Sequence, residues 1–411
     1  MTIALERPIQ AAPVVQPLPH PAAPKRKARP GRALRVTTWI TLSISSMIWL
    51  VEMLLMGASA SPAGFALSFG LALVPVPVVL AAFRWIDRAE PEPTRLLLVA
   101  FVWGATTATT VSVLAETIVG GPLWMGAGVF EELAKGFILV ALVRFVRTEF
   151  DGVIDGIVYS GFVAAGFAFT ENIGYFVKAY TVGLAADPAA QPVQGQYHTA
   201  DVLINFVMRG VVLPFSHPLF TVMFGIGLGL AVASAKRTVR IIAPVVGLIA
   251  AMALHMIWDY VLFSGPTPAV LLGFFGVFMV LFIAMIVTVS LIRRRELRSI
   301  EAHLESYANR GWLAQTELPA LSAFKGRRRA RRWAASVSGK QGKRAMVDMQ
   351  HAATKLGLLH RKLAAGRTVP DFPARQRSLL VQLAGARTVL ALAQSFQTSR
   401  VADNQPVGLT V

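Results

Sequence analysis

Residues 241–263 read IIAPVVGLIAAMALHMIWDYVLF. The stretch is as long as the run of about 20 apolar residues that one membrane-spanning helix needs. It carries two ionisable groups that an apolar span would exclude, His255 and Asp259. They stand four residues apart and so share one helix face. An ionisable side chain inside a span is costly and by default suggests function.

Seven further stretches of the same kind are legible, at 36–57, 64–83, 96–119, 123–143, 153–177, 210–235 and 270–292. The predicted fold class is therefore all-α, a polytopic transmembrane helix bundle of about eight spans. Composition agrees: of 411 residues 55% are hydrophobic, and the mean hydropathy is +0.56, values that soluble domains rarely reach. The first stretch is longer than a signal-peptide core and shows no small-residue cleavage site, so it is expected to be a retained anchor. Cysteine is absent, which excludes disulfides, thiol nucleophiles and cysteine-ligated zinc.

The net charge is +18, and its distribution carries more information than its size. The run Lys25–Arg32, then Arg84, Arg88 and Arg95, Arg144 and Arg147, Lys236, Arg237 and Arg240, and Arg293–Arg295 all fall on one side if there are eight spans. Loops 58–63, 120–122 and 264–266 carry no charge, and the long loop before 210 holds only Lys178, Asp187, Asp201 and Arg209. The positive-inside rule then places the chain in the cell membrane with both termini cytoplasmic.

Three regions follow: a basic, Pro- and Ala-rich N-terminal tail at 1–35, expected to be disordered, a transmembrane domain at 36–292, and a basic helical cytoplasmic tail at 293–411. The tail is predicted to break at 366–373 and to be disordered from Arg400. Its run Lys325–Arg332 has two readings, contact with anionic lipid headgroups or a solvated charged face. No aromatic platform accompanies the charge, so no nucleic acid partner is expected.

Six carboxylates lie within predicted spans: Glu52, Glu116, Glu131, Glu132, Glu171 and Asp259. Two histidines, His217 and His255, join them. Lys135 follows Glu131 by four residues and Glu132 by three, so it shares a helix face with both. Adjacent glutamates point about 100° apart, from which one is expected to pair with Lys135 and the other to face a cavity. Two neighbouring carboxylates also raise each other's proton affinity, which suits a general base. His217 lies between Pro214 and Pro218, and irregular backbone at membrane depth is tolerated where it is buried in protein or lines a cavity. Asp259 either orients His255 or shares a metal with it. Glu52 has no convergent partner in this reading and is expected to be structural or interfacial, and Glu116, near the outer end of the third span, is expected to face water.

Depth decides between scatter and a site. At about 1.5 Å rise per residue, Glu131 and Glu132, Glu171, His217 and His255 all come out roughly 9–12 Å below the outer surface. A Glu–Lys pair or a histidine taken alone is often helix-packing glue. Four antiparallel spans agreeing in depth favour a site.

The motifs E-E-x-x-K (Glu131, Glu132, Lys135), F-x-x-x-E-N (Phe167, Glu171, Asn172) and H-x-x-x-D (His255, Asp259) stand in order on three spans. In these the chain resembles the PrsW family of intramembrane proteases, related in pattern to the CAAX prenyl endopeptidases. The loop Glu90-Pro91-Glu92-Pro93, residues 151–156 and the Ser216-His217-Pro218 setting look similar too. Phe130 stands where some relatives have a third acid. The resemblance covers about 36–292 and implies cleavage of membrane-associated protein substrates in the bilayer, such as an anti-sigma factor. It implies Glu131, Glu132, Lys135, Glu171, Asn172, His217, His255 and Asp259 as the catalytic set. Two mechanisms stay open. In one, Glu131 or Glu132 activates water while His217, His255 or Asn172 stabilises the oxyanion. In the other, a divalent metal such as zinc is held by His217, His255 and a carboxylate from Glu171 or Asp259. Two competing functions are a proton-coupled transporter and a non-catalytic membrane scaffold. No inverted repeat is visible, and the polar residues share one depth rather than tracing a path.

Overall fold

The computed structural model describes residues 32–146, 149–183, 198–264, 272–367, 369 and 371–403. The expected N-terminal tail and its basic run through Gly31, Arg147, Asp187, loop residues Gly265 and Pro266, and the last residues 404–411 lie outside these. Among the described residues every regular element is helical. The molecule is a polytopic all-α membrane protein.

Among the described residues six helices are long and apolar enough to cross a membrane. The difference from eight has two physical sources. The first two expected spans form one run, Trp39–Ile86, made of helix α1 (Arg32–Leu73) and α2 (Pro75–Ile86). Within α1 the backbone leaves helical geometry at Ser61 (φ 65, ψ 155), just before Pro62. The fourth expected span is helical but holds Glu131, Glu132 and Lys135, too many charges for an apolar span.

The remaining helices are α3 (Thr94–Trp103), α4 (Thr109–Val119), α5 (Leu123–Gly126), α6 (Glu132–Phe145), α7 (Val153–Thr181), α8 (Thr199–Phe206), α9 (Ser216–Ala233) and α10 (Arg237–Ser264). Segments of π-helix join α3 to α4 at Gly104–Ala108 and α5 to α6 at Ala127–Glu131. A third, Val207–Val212, extends α8. Such single-turn insertions concentrate at functional sites.

Helix α7 is the axis of the membrane unit, Ala28–Ser290. It packs against α1, α2, α3, α6, α8 and α9. Its start is set by Asp155, whose Oδ2 accepts from the backbone N–H groups of Asp151 (2.6 Å) and Gly152 (2.7 Å), satisfying donors that a helix N-terminus leaves open. Glycines let its neighbours approach to backbone contact. A Cβ on Gly156 would lie 2.0 Å from the Gly225 carbonyl of α9, and one on Gly225 would lie 2.2 Å from that of Gly156. Close approach through small residues is how helices associate in lipid, where burial of apolar surface gives no driving force. Outward, Trp39, Leu54, Ile241, Ile249 and Ile257 are exposed, a surface that a bilayer solvates.

The other unit takes in Leu291–Val411. It contains the end of α11 (Met279–Asn309), the short α12 (Leu318–Ser322), α13 (Phe324–Ala364) and α14 (Phe372–Asp403). Ile300, Leu304, Leu356 and Leu390 are buried there, and Glu296 pairs with Arg361 at 3.0 Å. Helix α14 runs past Arg400, where disorder was expected, because no glycine or proline follows Gly385 before Pro406.

Candidate active site

Four elements bring their costly side chains to one place. Glu131 ends the π-segment before α6, and Glu132 and Lys135 lie in its first turns. Glu171 and Asn172 come from α7, His217 from the start of α9, and His255 and Asp259 from α10. All except Glu171 are buried, Lys135 at 0% exposure.

Lys135 is the hub. Its Nζ donates to Glu131 Oε2 at 2.9 Å and Glu132 Oε1 at 3.1 Å. It also lies 3.3 Å from His217 Nδ1 and 3.7 Å from the centre of the Phe167 ring. An ammonium only donates, so Nδ1 of His217 accepts. Both glutamates therefore reach Lys135, a departure from the expected division of one paired and one free. The flexible lysine stem spans the 100° between them.

The glutamates differ elsewhere. Glu132 Oε2 accepts from Thr221 Oγ1 at 2.9 Å, and its Oε1 meets His255 Nδ1 at 3.1 Å. With Nδ1–H donating to Glu132, His255 turns the lone pair of Nε2 toward Glu131 Oε2, 3.7 Å away, with Asp259 Oδ2 at 3.5 Å. The contacts of Glu131 to Lys135, His217 and His255 all run through Oε2.

On the far side, His217 Nε2 is 2.5 Å from Glu171 Oε2. Arg209 Nη2 stands 2.9 Å from the same oxygen. Arg209 Nε also donates to Asn172 Oδ1 at 2.8 Å, and its guanidinium lies 3.9 Å from the centre of the Tyr175 ring. The sequence reading took Arg209 as a loop charge. Helix α8 starts at Thr199 instead of near 210 and carries Arg209 into the site. A cation eight positions before His217, at the edge of an apolar run, was the available signal. Thr221 gave none, since a hydroxyl in an apolar span is unremarked. Glu52 does find a partner, Thr110 at 3.3 Å.

Glu131, His217 and His255 each offer a ligand atom within 4.8 Å of the others. Two imidazoles and one carboxylate match the donors of open catalytic zinc sites, which keep a position for water or substrate. A carboxylate behind the ligand histidine, as Glu132 stands behind His255, fixes its tautomer. Charge agrees as well. Four carboxylates (Glu131, Glu132, Glu171, Asp259) face two permanent cations (Lys135, Arg209). When all are ionised, the imbalance is that of one divalent ion. The residues present fit such an ion.

Residues 92–289 match the family described as PrsW family intramembrane metalloprotease. Over this stretch the chain is similar to the PrsW family. Among its relatives, Protease PrsW of Geobacillus kaustophilus is 29% identical over 173 residues, 40% of this chain and 67% of that protein. Protease PrsW of Bacillus subtilis is 31% identical over 113 residues, 26% of this chain and 51% of the relative. That of Clostridioides difficile is 32% identical over 119 residues, 26% and 49%. The chain thus spans about half to two thirds of the PrsW proteins it matches. No solved structure matches it. The match begins at Glu92 and takes in the glutamates, histidines, Lys135, Asn172, Arg209 and Asp259 of the cluster.

Proposed function

We propose that this chain is a PrsW-type endopeptidase that hydrolyses peptide bonds of membrane-associated proteins, with Glu131 as the acceptor of the proton of water. One observation carries the choice of glutamate. Both oxygens of Glu132 are engaged, by Lys135 and His255 on one side and Thr221 on the other, whereas the bonds of Glu131 run through one oxygen. Water adds its oxygen to the scissile carbonyl carbon as Glu131 takes a proton. The carbon–nitrogen bond then breaks as that proton passes to the leaving amine. Arg209 only donates, so it meets the oxygen of the Asn172 amide and leaves Nδ2–H as the donating end. Asn172 lines the adjoining cavity and is positioned to donate to the oxyanion.

Glu131, His217 and His255 would hold a divalent metal, zinc by donor type, in place of the Glu171 or Asp259 set that the sequence reading favoured. Such an ion supplies Lewis acidity that polarises the carbonyl. Lys135 donates to both glutamates and holds them together, and Glu132, accepting from Nδ1–H, orients His255. The substrates are membrane proteins, with anti-sigma factors as the class that the resemblance implies. The Lys and Arg distribution supports both termini in the cytoplasm.

The deciding experiment compares membrane proteomes of cells with wild-type protein and with Glu131→Gln at matched abundance. One or a few membrane proteins are expected to accumulate uncleaved in the variant. Matching proteomes under several stresses, with the variant folded, would overturn the peptidase reading. A Glu131→Gln strain that cleaves normally while Glu132→Gln does not would move the base to Glu132.

A further inference from the structure

Beside the Glu–His cluster lies a cavity of about 360 Å³. One end is polar, formed by Glu171, Asn172, Arg209, His217 and Asp259. The remaining wall is largely apolar, with Ala72, Val76 and Val79 from α1 and α2 and Ala165, Ala168 and Phe169 from α7. Residues 165, 168, 169 and 172 recur at three- and four-residue spacing, so one face of α7 runs from the apolar wall to the site.

Elsewhere α7 is packed to backbone contact, as at Gly156 against Gly225. Helices that pack this closely do not leave a void by default, because interiors hold few gaps larger than a water. The apolar wall gives water too few hydrogen-bond partners to fill the space stably. A ligand with an apolar group at one end and a polar group at the other satisfies both halves. Size narrows the choice. The volume is at the low end of the ~300–1,000 Å³ of ligand pockets. A helix about 10–12 Å across would fill it in less than one turn of about 5.4 Å. Of a protein substrate, a side chain with a short length of unwound backbone fits.

We infer that this cavity is the subsite that receives a large apolar side chain, such as Leu or Phe, of the substrate residue adjoining the scissile bond, and that Ala165 and Ala168 set its depth. The inference rests on the peptidase reading above and names the substrate class for it. The substrate segment enters locally extended, with its backbone amide at the His217–Glu171 end and its side chain between α2 and α7.

The test uses the purified full-length protein and membrane peptides that differ at one position, Ala, Leu or Phe, next to the cleaved bond. Ala168→Leu is expected to lower kcat/KM for the Leu and Phe peptides by about ten- to a hundredfold, the range for filling or emptying an apolar pocket. The Ala peptide should lose less than the Leu and Phe peptides, so the order of preference shifts toward Ala. An unchanged order of preference in Ala168→Leu and in the milder Ala168→Val, both folded by thermal unfolding, would overturn the inference while leaving the peptidase reading intact. If wild-type protein cleaves none of the peptides, the peptidase reading fails, and binding decides the subsite separately. A photoreactive Leu peptide held by the Glu131→Gln variant should crosslink to Phe169 or Val76 and be lost in Ala168→Leu. Crosslinks elsewhere, with a lipid acyl chain found in the cavity by native mass spectrometry, would assign the space to lipid and overturn the proposal.

Discussion

Arg209 shows what one half-buried cation does at this depth. It bonds Glu171 and Asn172 at once and stacks on Tyr175. Removing one partner of an ion pair withdrawn from water leaves the other charge uncompensated, at a cost that falls below the fully buried case when the pair is partly exposed, as this one is. Arg209→Ala is therefore expected to lower the unfolding midpoint in detergent and to abolish cleavage. Arg209→Lys should recover part of the stability and little of the activity, since an ammonium keeps the charge and loses the planar fork that holds Asn172. Equal stability of Arg209→Ala and wild type would show that Glu171 does not depend on it. Glu92 makes a second residue-scale case, in the loop outside the spans. Tyr159 Oη donates to its Oε2 at 2.6 Å. Burial, with Asp155 nearby, pushes its carboxyl up to about 11. The unfolded chain ionises this group from the ordinary 4.5, so the unfolded state binds fewer protons above that pH. The Glu92 contribution to stability is thus full below 4.5 and is lost as pH rises toward about 11. Glu92→Gln should flatten the fall of unfolding midpoint with pH between neutral and alkaline buffers. An identical pH slope in the two proteins would mean that Glu92 is ionised in the fold.

At the scale of elements, the π-segment Ala127–Glu131 connects sequence to site. Gly128 within it faces α10, where a Cβ would lie 2.2 Å from Met256 Cγ and 3.1 Å from the Met252 carbonyl. That contact keeps the glutamates beside His255, one residue from Met256. Gly128→Val is expected to cost about 1–3 kcal/mol by overpacking and to separate the glutamates from His255, lowering both the unfolding midpoint and any bound metal. Gly70→Ala is the control, since nothing lies within 4 Å of its added Cβ. Equal behaviour of the two variants would show that α10 does not need the close approach. What was legible in the sequence divides along the same line. Spacings of three and four residues reported Lys135 against both glutamates and His255 against Asp259, because such pairs depend on one helix alone. Depth counting reported which spans would meet. The π-segments, the early start of α8 that brings in Arg209, and the Thr221 bond to Glu132 depend on packing between helices. Residue types do not encode those. The break at Ser61 was legible too, since it falls within the loop 58–63 read between the first two expected spans.

For the whole molecule, topology links the site to its substrates. The helices at Thr94–Val119, Val153–Thr181, Thr199–Ala233 and Arg237–Leu262 are each long and apolar enough to cross, and the glutamate-bearing stretch 123–145 is charged in a way that only a protein-lined interior tolerates. If that stretch crosses and Ser61 reverses the chain, eight crossings result. Arg84, Arg144, Arg237 and Arg294 then share the cytoplasmic side, while Gly120 and Gly121 lie outside. The alternative, in which 123–145 re-enters without crossing, puts Arg144 and Gly121 on the same side. The absence of cysteine makes this directly measurable, since each introduced thiol is the only one in the chain. Single cysteines at Glu90, Gly121, Arg144 and Arg294 are expected to react with a membrane-impermeant maleimide in the pattern protected, labelled, protected, protected in intact cells, and all four in opened membranes. Labelling of the Arg144 position in intact cells would exclude the eight-crossing arrangement. It would also move the Glu131 cluster to a different depth, because every site helix would then be counted from the other membrane face.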